Sequence, residues 1–304
     1  MKLILRQAPD VRALIFTAFF DGSFFQFYNG LEGTAKTMHH PSISWRLGAC
    51  LVLLLSLALP LGSCGKTETE ATFAELTQNY DVIIMKHCYP SSGVLPDTGS
   101  ADPASSRQSL ENYKAVYRLL RDKFDANPDT LFILWTLPPL HRLVEPSQGD
   151  KDSNAARATE FSTWMQTDFL TEGGEHPNIR IFDFRGLVVD PADNFLKYEY
   201  ERSHDSSDSH PNDAANNDAG PKFAQFIADA GAAFFGSQTA AEGVDVIFLH
   251  HSTGQNVYEY PDKGVEGWMR DYNQANGTNI RLTDLWYPAD DNMPVDYYRA
   301  WLAK

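Results

Sequence analysis

The sequence VDVIFLHHSTGQN, residues 244–256, is a short apolar run that ends in a histidine pair, a serine and a glycine. Nearly continuous hydrophobicity over so few residues is typical of a strand that helices cover on both faces. Shorter runs of the same kind occur at residues 81–85 (DVIIM), 131–136 (LFILWT), 179–184 (IRIFDF) and, more weakly, 279–283 (NIRLT). The sequence therefore predicts an α/β domain built on a parallel five-stranded sheet.

The segments between these runs carry apolar residues at helical spacing. Such spacing places the side chains on one face of a helix, which can pack against the sheet. We expect a three-layer α/β/α architecture, with Pro221 as the first residue of the third helix. The four helical faces are Leu110, Tyr113, Tyr117, Leu120 and Phe124; Phe161, Trp164, Met165 and Phe169; Phe223, Phe226, Ile227 and Phe234; and Val265, Trp268, Met269 and Tyr272.

Residues 47–61, LGACLVLLLSLALPL, form an apolar run that is followed by Gly62, Ser63 and Cys64. As a helix this run would span only about 22 Å, short of the ~30 Å hydrocarbon core, which indicates a signal peptide. LGSC at residues 61–64 resembles the bacterial lipobox, whose cysteine is lipidated after cleavage. We expect an exported protein with a lipid on Cys64, anchored to the bacterial cell envelope at the outer membrane or cell surface. An ordinary secretory signal with an incidental cysteine is the alternative.

The residues ahead of the signal are expected to lie outside the folded domain. Signal peptides begin within a few residues of their apolar run, so Met38 is the expected start. The domains are then residues 1–63, the upstream segment and signal peptide, and residues 64–304, a single domain long enough to bury a full core.

Charge and cysteine content exclude several functional classes. The formal net charge is −15, and removing residues 1–63, with five basic and three acidic side chains, leaves −17. Such a surface repels phosphate backbones, so no nucleic-acid partner is expected. With Cys50 in the signal and Cys64 carrying lipid, Cys88 stands alone, and we predict no internal disulfide.

Ser252 directly follows the 244–250 run, at the end of a strand where open α/β sheets place their ligands. Gly254 would let the backbone approach a substrate and turn the chain into the next helix. A serine nucleophile needs a base, and the base needs a carboxylate that fixes its tautomer. We predict Ser252 as the nucleophile, His210 as the general base and Asp208 as the orienting acid.

Other interpretations of these polar residues stay open. Asp183, at the end of a predicted strand, is the second candidate for the orienting acid. Cys88 beside His87 would be a thiol nucleophile, although its position at the end of an apolar strand favours a buried structural thiol. A metal site formed by His250 and His251 with His210 or His204 is a further alternative. Neighbouring residues of a strand point to opposite faces, which argues against a shared ion at His250 and His251. We therefore expect no metal, and no cofactor.

Residues 198–220 form a polar, acidic stretch without periodicity. A disordered linker between two domains is one interpretation, and a functional loop is the other. Too little sequence follows Gly236 for a second α/β domain, which favours the loop.

At this point the chain resembles the SGNH, or GDSL-like, hydrolases, whose catalytic Asp and His share a late loop ahead of the last helix. SDSHPN at residues 207–212 is the most specific match, and HHSTG at 250–254 corresponds loosely to the nucleophile block. Residues 81–94, 136–140 and 178–184 also look like a branch of this superfamily, so the resemblance covers most of residues 70–304. It implies a serine esterase or deacetylase that acts on an ester of an extracellular glycan or lipid.

Two departures from the family pattern matter. In the family, two residues separate the catalytic acid from the histidine. Counted back from His210, that position holds Ser207 in this chain, and Asp208 is separated from His210 by only one residue. The family's GxND asparagine is also missing, because that region reads KHCYPSS at residues 86–92. These departures support a rival function, a catalytically degraded lipoprotein that binds glycans or acts as a surface scaffold. The oxyanion donors expected for an active enzyme are the backbone N–H groups of Ser252 and Gly254, Asn256, Ser91 or Ser92.

The order of the motifs is reversed relative to the family, because Ser252 follows His210. Residues 244–304 correspond to the family's beginning and residues 70–236 to its continuation. We interpret this order as a circular permutation in which residues 236–243 join the original ends of the chain. We expect a monomer whose substrate is a small-molecule or glycan ester. The alternative is that the chain joins the tail of one copy of the domain to the head of another. Two such chains would then complete each other by exchanging these parts in a dimer.

Overall fold

The computed structural model describes residues 4–7, 14–20, 23–27, 71–236, 242–288 and 294–303. The chain divides into two compact units, Met1–Gly65 and Lys66–Lys304. The first contains an antiparallel sheet of β1 (Ile4–Gln7), β2 (Leu14–Phe20) and β3 (Ser23–Phe27), where the sequence predicted no part of the fold. Cys64 and the apolar run at 47–61 lie outside the described residues, so the anchor and the signal peptide stay predictions. Within the described ranges, no helix is long and apolar enough to cross a membrane.

The second unit is built on a five-stranded, all-parallel sheet in the order β6-β5-β4-β7-β8. This confirms the predicted α/β class. The fifth strand is longer than predicted, because its pairing with β7 runs from Val244 opposite Ile280 to His250 opposite Trp286. The strands are β4 (Val82–Met85), β5 (Leu131–Trp135), β6 (Ile179–Phe182), β7 (Val244–His250) and β8 (Ile280–Trp286).

Helices cover the sheet on both faces. Ile83 and Met85 of β4 join one core cluster with α1, α2 and α3, whereas Val82 and Ile84 join another with α5 and α7, as strand alternation requires. The architecture is therefore three-layered, as predicted. The described helices are α1 (Phe73–Asn79), α2 (Leu110–Asp125), α3 (Lys151–Gln166), α4 (Phe184–Val188), α5 (Asp213–Phe235), α6 (Ser252–Tyr258), α7 (Gly264–Asn276) and α8 (Val295–Tyr297).

The third predicted helix begins earlier than expected. We predicted that Pro221 would open it, but α5 begins at Asp213 and contains Pro221 in its interior. The reason is the N-cap at Asn212. Its side chain accepts a hydrogen bond from Ala215 N, one of the backbone N–H groups that the first turn of a helix leaves without a partner. The loop that carries Asp208 and His210 is therefore tied directly to the start of a long helix.

Strand order bears on the permutation. Numbered from β7 as the first strand, the sheet order reads 2-1-3-4-5, an order that doubly wound sheets use. Trp301 near the end of the chain packs edge-on against Phe73 at the start of α1, with ring centroids 5.3 Å apart. The permutation itself concerns ancestry and stays an interpretation.

Candidate active site

Ser252 lies at the carboxyl end of the sheet. Strand β7 ends at His250, His251 precedes the helix, and Ser252 is the first residue of α6. Because β7 lies between β4 and β8, the loops after three strands meet around Ser252. Ser252 is half-buried at this position.

His210 and Asp208 lie beside this serine. The Nε2 atom of His210 is 2.7 Å from Ser252 Oγ, and its Nδ1 is 2.6 Å from Asp208 Oδ1. The same carboxylate oxygen accepts the backbone N–H of His210 at 3.0 Å, a bond that the short spacing between the two residues allows. With the Nδ1 proton directed at the carboxylate, the Nε2 lone pair faces the serine hydroxyl.

The Asp208 carboxylate is held in its charged form. Burial acts to raise the pKa of Asp208, but the hydrogen bonds from His210 and the charge of Arg202, whose Nη1 is 3.9 Å away, outweigh it. The pKa of Asp208 therefore lies below its ordinary value. A charged acceptor at Asp208 favours the imidazole tautomer with its proton on Nδ1.

A buried ionic cluster fixes the loop that carries Asp208 and His210. Glu201, 4 % exposed, accepts from Arg142 Nε at 2.8 Å and lies 3.1 Å from His141 Nε2. The Ser209 hydroxyl accepts the backbone N–H of His141 at 2.8 Å. The residue between the acid and the histidine is therefore anchored to the loop after β5, which limits the movement of both.

Cys88 and Tyr89, from the loop after β4, complete the surroundings of the triad. The Cys88 thiol is 3 % exposed and lies 3.5 Å from Ser252 Oγ and 3.3 Å from Thr253 Oγ1. Burial acts to raise its pKa, but the charge of Lys86 and the two hydroxyl groups outweigh burial and lower it. The Tyr89 ring meets His210 edge-on, with centroids 4.8 Å apart. Cys88 is buried, as its position suggested, and it also touches the nucleophile.

The predicted oxyanion donors lie in different settings. Ser91 and Ser92 are buried, and the Ser92 hydroxyl donates to the Pro138 carbonyl at 2.5 Å, so neither side chain reaches the surface. Asn256 is half-buried, one turn after Ser252 on α6. Gly254 is buried, and the space beside its Cα is filled by His250 and Lys86 rather than open to a ligand. Of these three side chains, that of Asn256 is the one that is not buried.

Replacing Gly254 with alanine is expected to disturb the start of α6. An added Cβ would lie 2.5 Å from His250 Cβ and 3.1 Å from Lys86 Cδ, so the helix must move away from the sheet. We expect Gly254→Ala to lower the free energy of unfolding by about 1–3 kcal/mol. Gly231→Ala in α5 is the control, because nothing lies within 4 Å of its added Cβ. Equal losses in both variants, measured by urea unfolding, would contradict the packing argument.

The alternative residues are engaged elsewhere. Asp183 caps α4, accepting from Gly186 N at 3.0 Å and from Thr136 Oγ1 at 3.0 Å. His250 Nε2 lies 3.1 Å from Asp284 Oδ2, and the His251 ring stacks on Trp286. His204 bonds Glu201 at 2.8 Å. In the part of the chain that the structure describes, no group of three metal-binding side chains is found.

A cleft of about 710 Å3 is lined by Tyr89 and Pro90, and Tyr89 is the residue that contacts His210. Ser252, His210 and Asp208 are not among its lining residues. The cleft runs between residues 93–108 and residues 140–148, and its volume falls within the range of about 300–1,000 Å3 that ligand sites occupy. The site therefore combines a hydrogen-bonded Ser-His-Asp arrangement with room for a ligand beside it.

Comparison of the chain with protein-family models, with curated proteins and with solved structures finds no match.

Proposed function

We propose that the protein is a serine hydrolase of esterase or deacetylase type. The observation that carries this proposal is the hydrogen-bonded chain from Ser252 Oγ through the His210 ring to Asp208, with distances of 2.7 and 2.6 Å. A hydroxyl, an imidazole and a carboxylate in this order form the arrangement that activates a serine for acyl transfer. The SGNH-like motifs around all three residues support the same reaction.

The geometry supports a two-step mechanism. His210 Nε2 takes the proton of Ser252 as Oγ attacks the ester carbonyl carbon, and His210 then gives this proton to the departing alcohol. Water attacks the acyl-serine, His210 again removes a proton, and the carboxylic acid leaves as Ser252 regains its hydrogen. Asp208 stabilises the imidazolium that forms in each step without taking the proton. Backbone N–H groups around Ser252 and the Asn256 amide are the candidate donors to the oxyanion.

Turnover of short-chain p-nitrophenyl esters tests the proposal. The wild-type protein should release p-nitrophenol from the acetate ester with saturation kinetics, in proportion to enzyme concentration and above buffer and heat-denatured controls. The acetate and butyrate esters together test whether a short acyl group is preferred. Absence of turnover on both, and on acetylated sugars, would favour the rival function of a glycan-binding or scaffold lipoprotein, which the burial of Ser91 and Ser92 supports.

Export and lipidation form part of the proposal. The lipobox-like LGSC at residues 61–64 predicts that Cys64 carries the lipid. In a bacterial host grown with an alkyne-tagged palmitate, we expect the wild-type protein to be labelled and Cys64→Ser to lose the label completely. Cys50→Ser, within the predicted signal, is the matched control and should keep it. Label retained in Cys64→Ser would overturn the anchor assignment.

A further inference from the structure

Arg107 brings a positive charge into the cleft beside the triad. It lines the cleft together with Tyr89, the residue that contacts His210. The guanidinium is half-buried and makes two long hydrogen bonds to neutral acceptors, 3.4 Å to Gln148 Oε1 and 3.3 Å to the Pro96 carbonyl. Bonds of this length are weak, since N–H···O bonds are strongest near 2.9 Å. The two Nη groups of Arg107 therefore keep most of their capacity to bind a ligand.

The charge of Arg107 is not neutralised by the protein. Across residues 71–236, 242–288 and 294–303, no carboxylate forms an ion pair with it, and its Nε is buried without a hydrogen-bond partner. Glu145 also lines the cleft, but its exposed carboxylate lies 3.6 Å from Lys151 Nζ and is partly offset by that charge. The chain as a whole is acidic, with a net charge of −15, whereas this ligand-sized cleft contains an arginine that no carboxylate pairs with.

The rest of the lining is suited to hydroxyl groups. Six of its lining residues carry hydroxyl or neutral amide side chains, a composition that suits a sugar better than an acyl chain. An extended lipid chain would need a mostly apolar channel. The polar lining residues are Ser105, Ser106, Gln108, Ser147, Gln148 and Asn154.

We infer that the cleft binds the alcohol part of an anionic carbohydrate ester, with Arg107 pairing to its carboxylate or sulfate. This inference rests on the proposed function, since it assigns the acyl group to Ser252 and the charged sugar to the cleft. A carboxylate would accept two parallel bonds from the guanidinium, and such charge-assisted bonds are about twice as strong as the neutral ones they replace. The subsite thus selects charged over neutral sugar esters.

Paired substrates test the subsite. The kcat/KM values for an acetylated methyl glucuronide and for the matched acetylated methyl glucoside give a charge preference, which should be roughly tenfold or more in the wild type. Arg107→Gln should reduce this ratio about tenfold, and Arg107→Lys should retain part of it. Arg270→Gln, which removes an exposed charge on α7 outside the cleft, should leave the ratio unchanged. An acetylated, sulfated glucoside distinguishes a general anion site from one specific for carboxylates.

The outcomes separate the subsite from the reaction. If the wild type hydrolyses both sugar esters with equal kcat/KM and Arg107→Gln does not change the ratio, the subsite is wrong and the hydrolase stands. If no ester is hydrolysed, the proposed reaction fails, and binding of methyl glucuronide and methyl glucoside, measured by calorimetry, tests the subsite. Tighter binding of the glucuronide that Arg107→Gln abolishes would support it, whereas equal binding would overturn it.

Discussion

Ser252→Ala is expected to lower kcat/KM for p-nitrophenyl acetate at least about 10⁴-fold. The variant removes the atom that attacks the ester, and removal of a triad nucleophile leaves only the residual catalysis of the surrounding binding site. The hydroxyl that is lost is the one 2.7 Å from His210 Nε2 and 3.5 Å from the Cys88 thiol.

The fold should survive this change. Ser252 is half-buried at the first position of α6, and alanine is the best helix former, so the free energy of unfolding should change by no more than about 1 kcal/mol. Ser100→Ala, at an exposed loop serine, is the control for the substitution itself and should keep full activity. Undiminished hydrolysis by a folded Ser252→Ala protein would remove the serine from the mechanism.

Asp208→Asn is expected to lower kcat about 10²- to 10⁴-fold with little change in KM. An amide at this position can donate toward the imidazole, which favours the wrong tautomer, and it cannot stabilise the imidazolium by charge. Because Asp208 Oδ1 accepts from both the ring and the backbone of His210, the variant also loosens the histidine.

Asp183→Asn is the matched control, since Asp183 was the other candidate for this role. Its carboxylate caps α4, and asparagine caps helices about as well as aspartate, so activity should be close to that of the wild type. Some stability should be lost, because the Asp183 charge offsets that of the buried Arg185. A large loss in Asp183→Asn together with a small one in Asp208→Asn would reverse the assignment.

Much of the fold could be predicted because its strands are short and apolar throughout. Four runs correspond to strands β4 to β7 within two residues at each end. The fifth run was predicted too short, because β8 continues past Thr283 to Trp286 and Asp284 interrupts its apolar pattern at the exposed edge of the sheet. The start of α5 was predicted too late, at Pro221, because the local sequence does not distinguish a proline inside a helix from one in its first turn.

The site was only partly readable from the sequence. Ser252, His210 and Asp208 could be selected because each needs a specific residue type next to a strand or helix end, and the structure brings all three together. The contacts of Cys88 and Tyr89 with the triad depend on β4 lying beside β7. The order of strands in a sheet cannot be predicted from the sequence of any one strand. One signal was available, because KHCYP follows a buried strand whose carboxyl end meets the ligand edge of the sheet.

Arg107 shows the same limitation at longer range. It lies in an irregular stretch before α2, and nothing in its neighbours marks it as a ligand residue. Only the approach of residues 140–148 makes a cleft around it. Loops of this kind set specificity, so the substrate is less readable from sequence than the reaction.

Labelling with a fluorophosphonate probe, followed by peptide mapping, tests the central claim most directly. Such a probe reacts with a serine only when a neighbouring base has activated its hydroxyl, so it reports the activation rather than the presence of Ser252. We predict one probe per folded chain on the peptide that contains Ser252, with no labelling of Ser252→Ala and strongly slowed labelling of Asp208→Asn. A native preparation that hydrolyses esters but carries no label at Ser252, or carries it at another residue, would contradict the account.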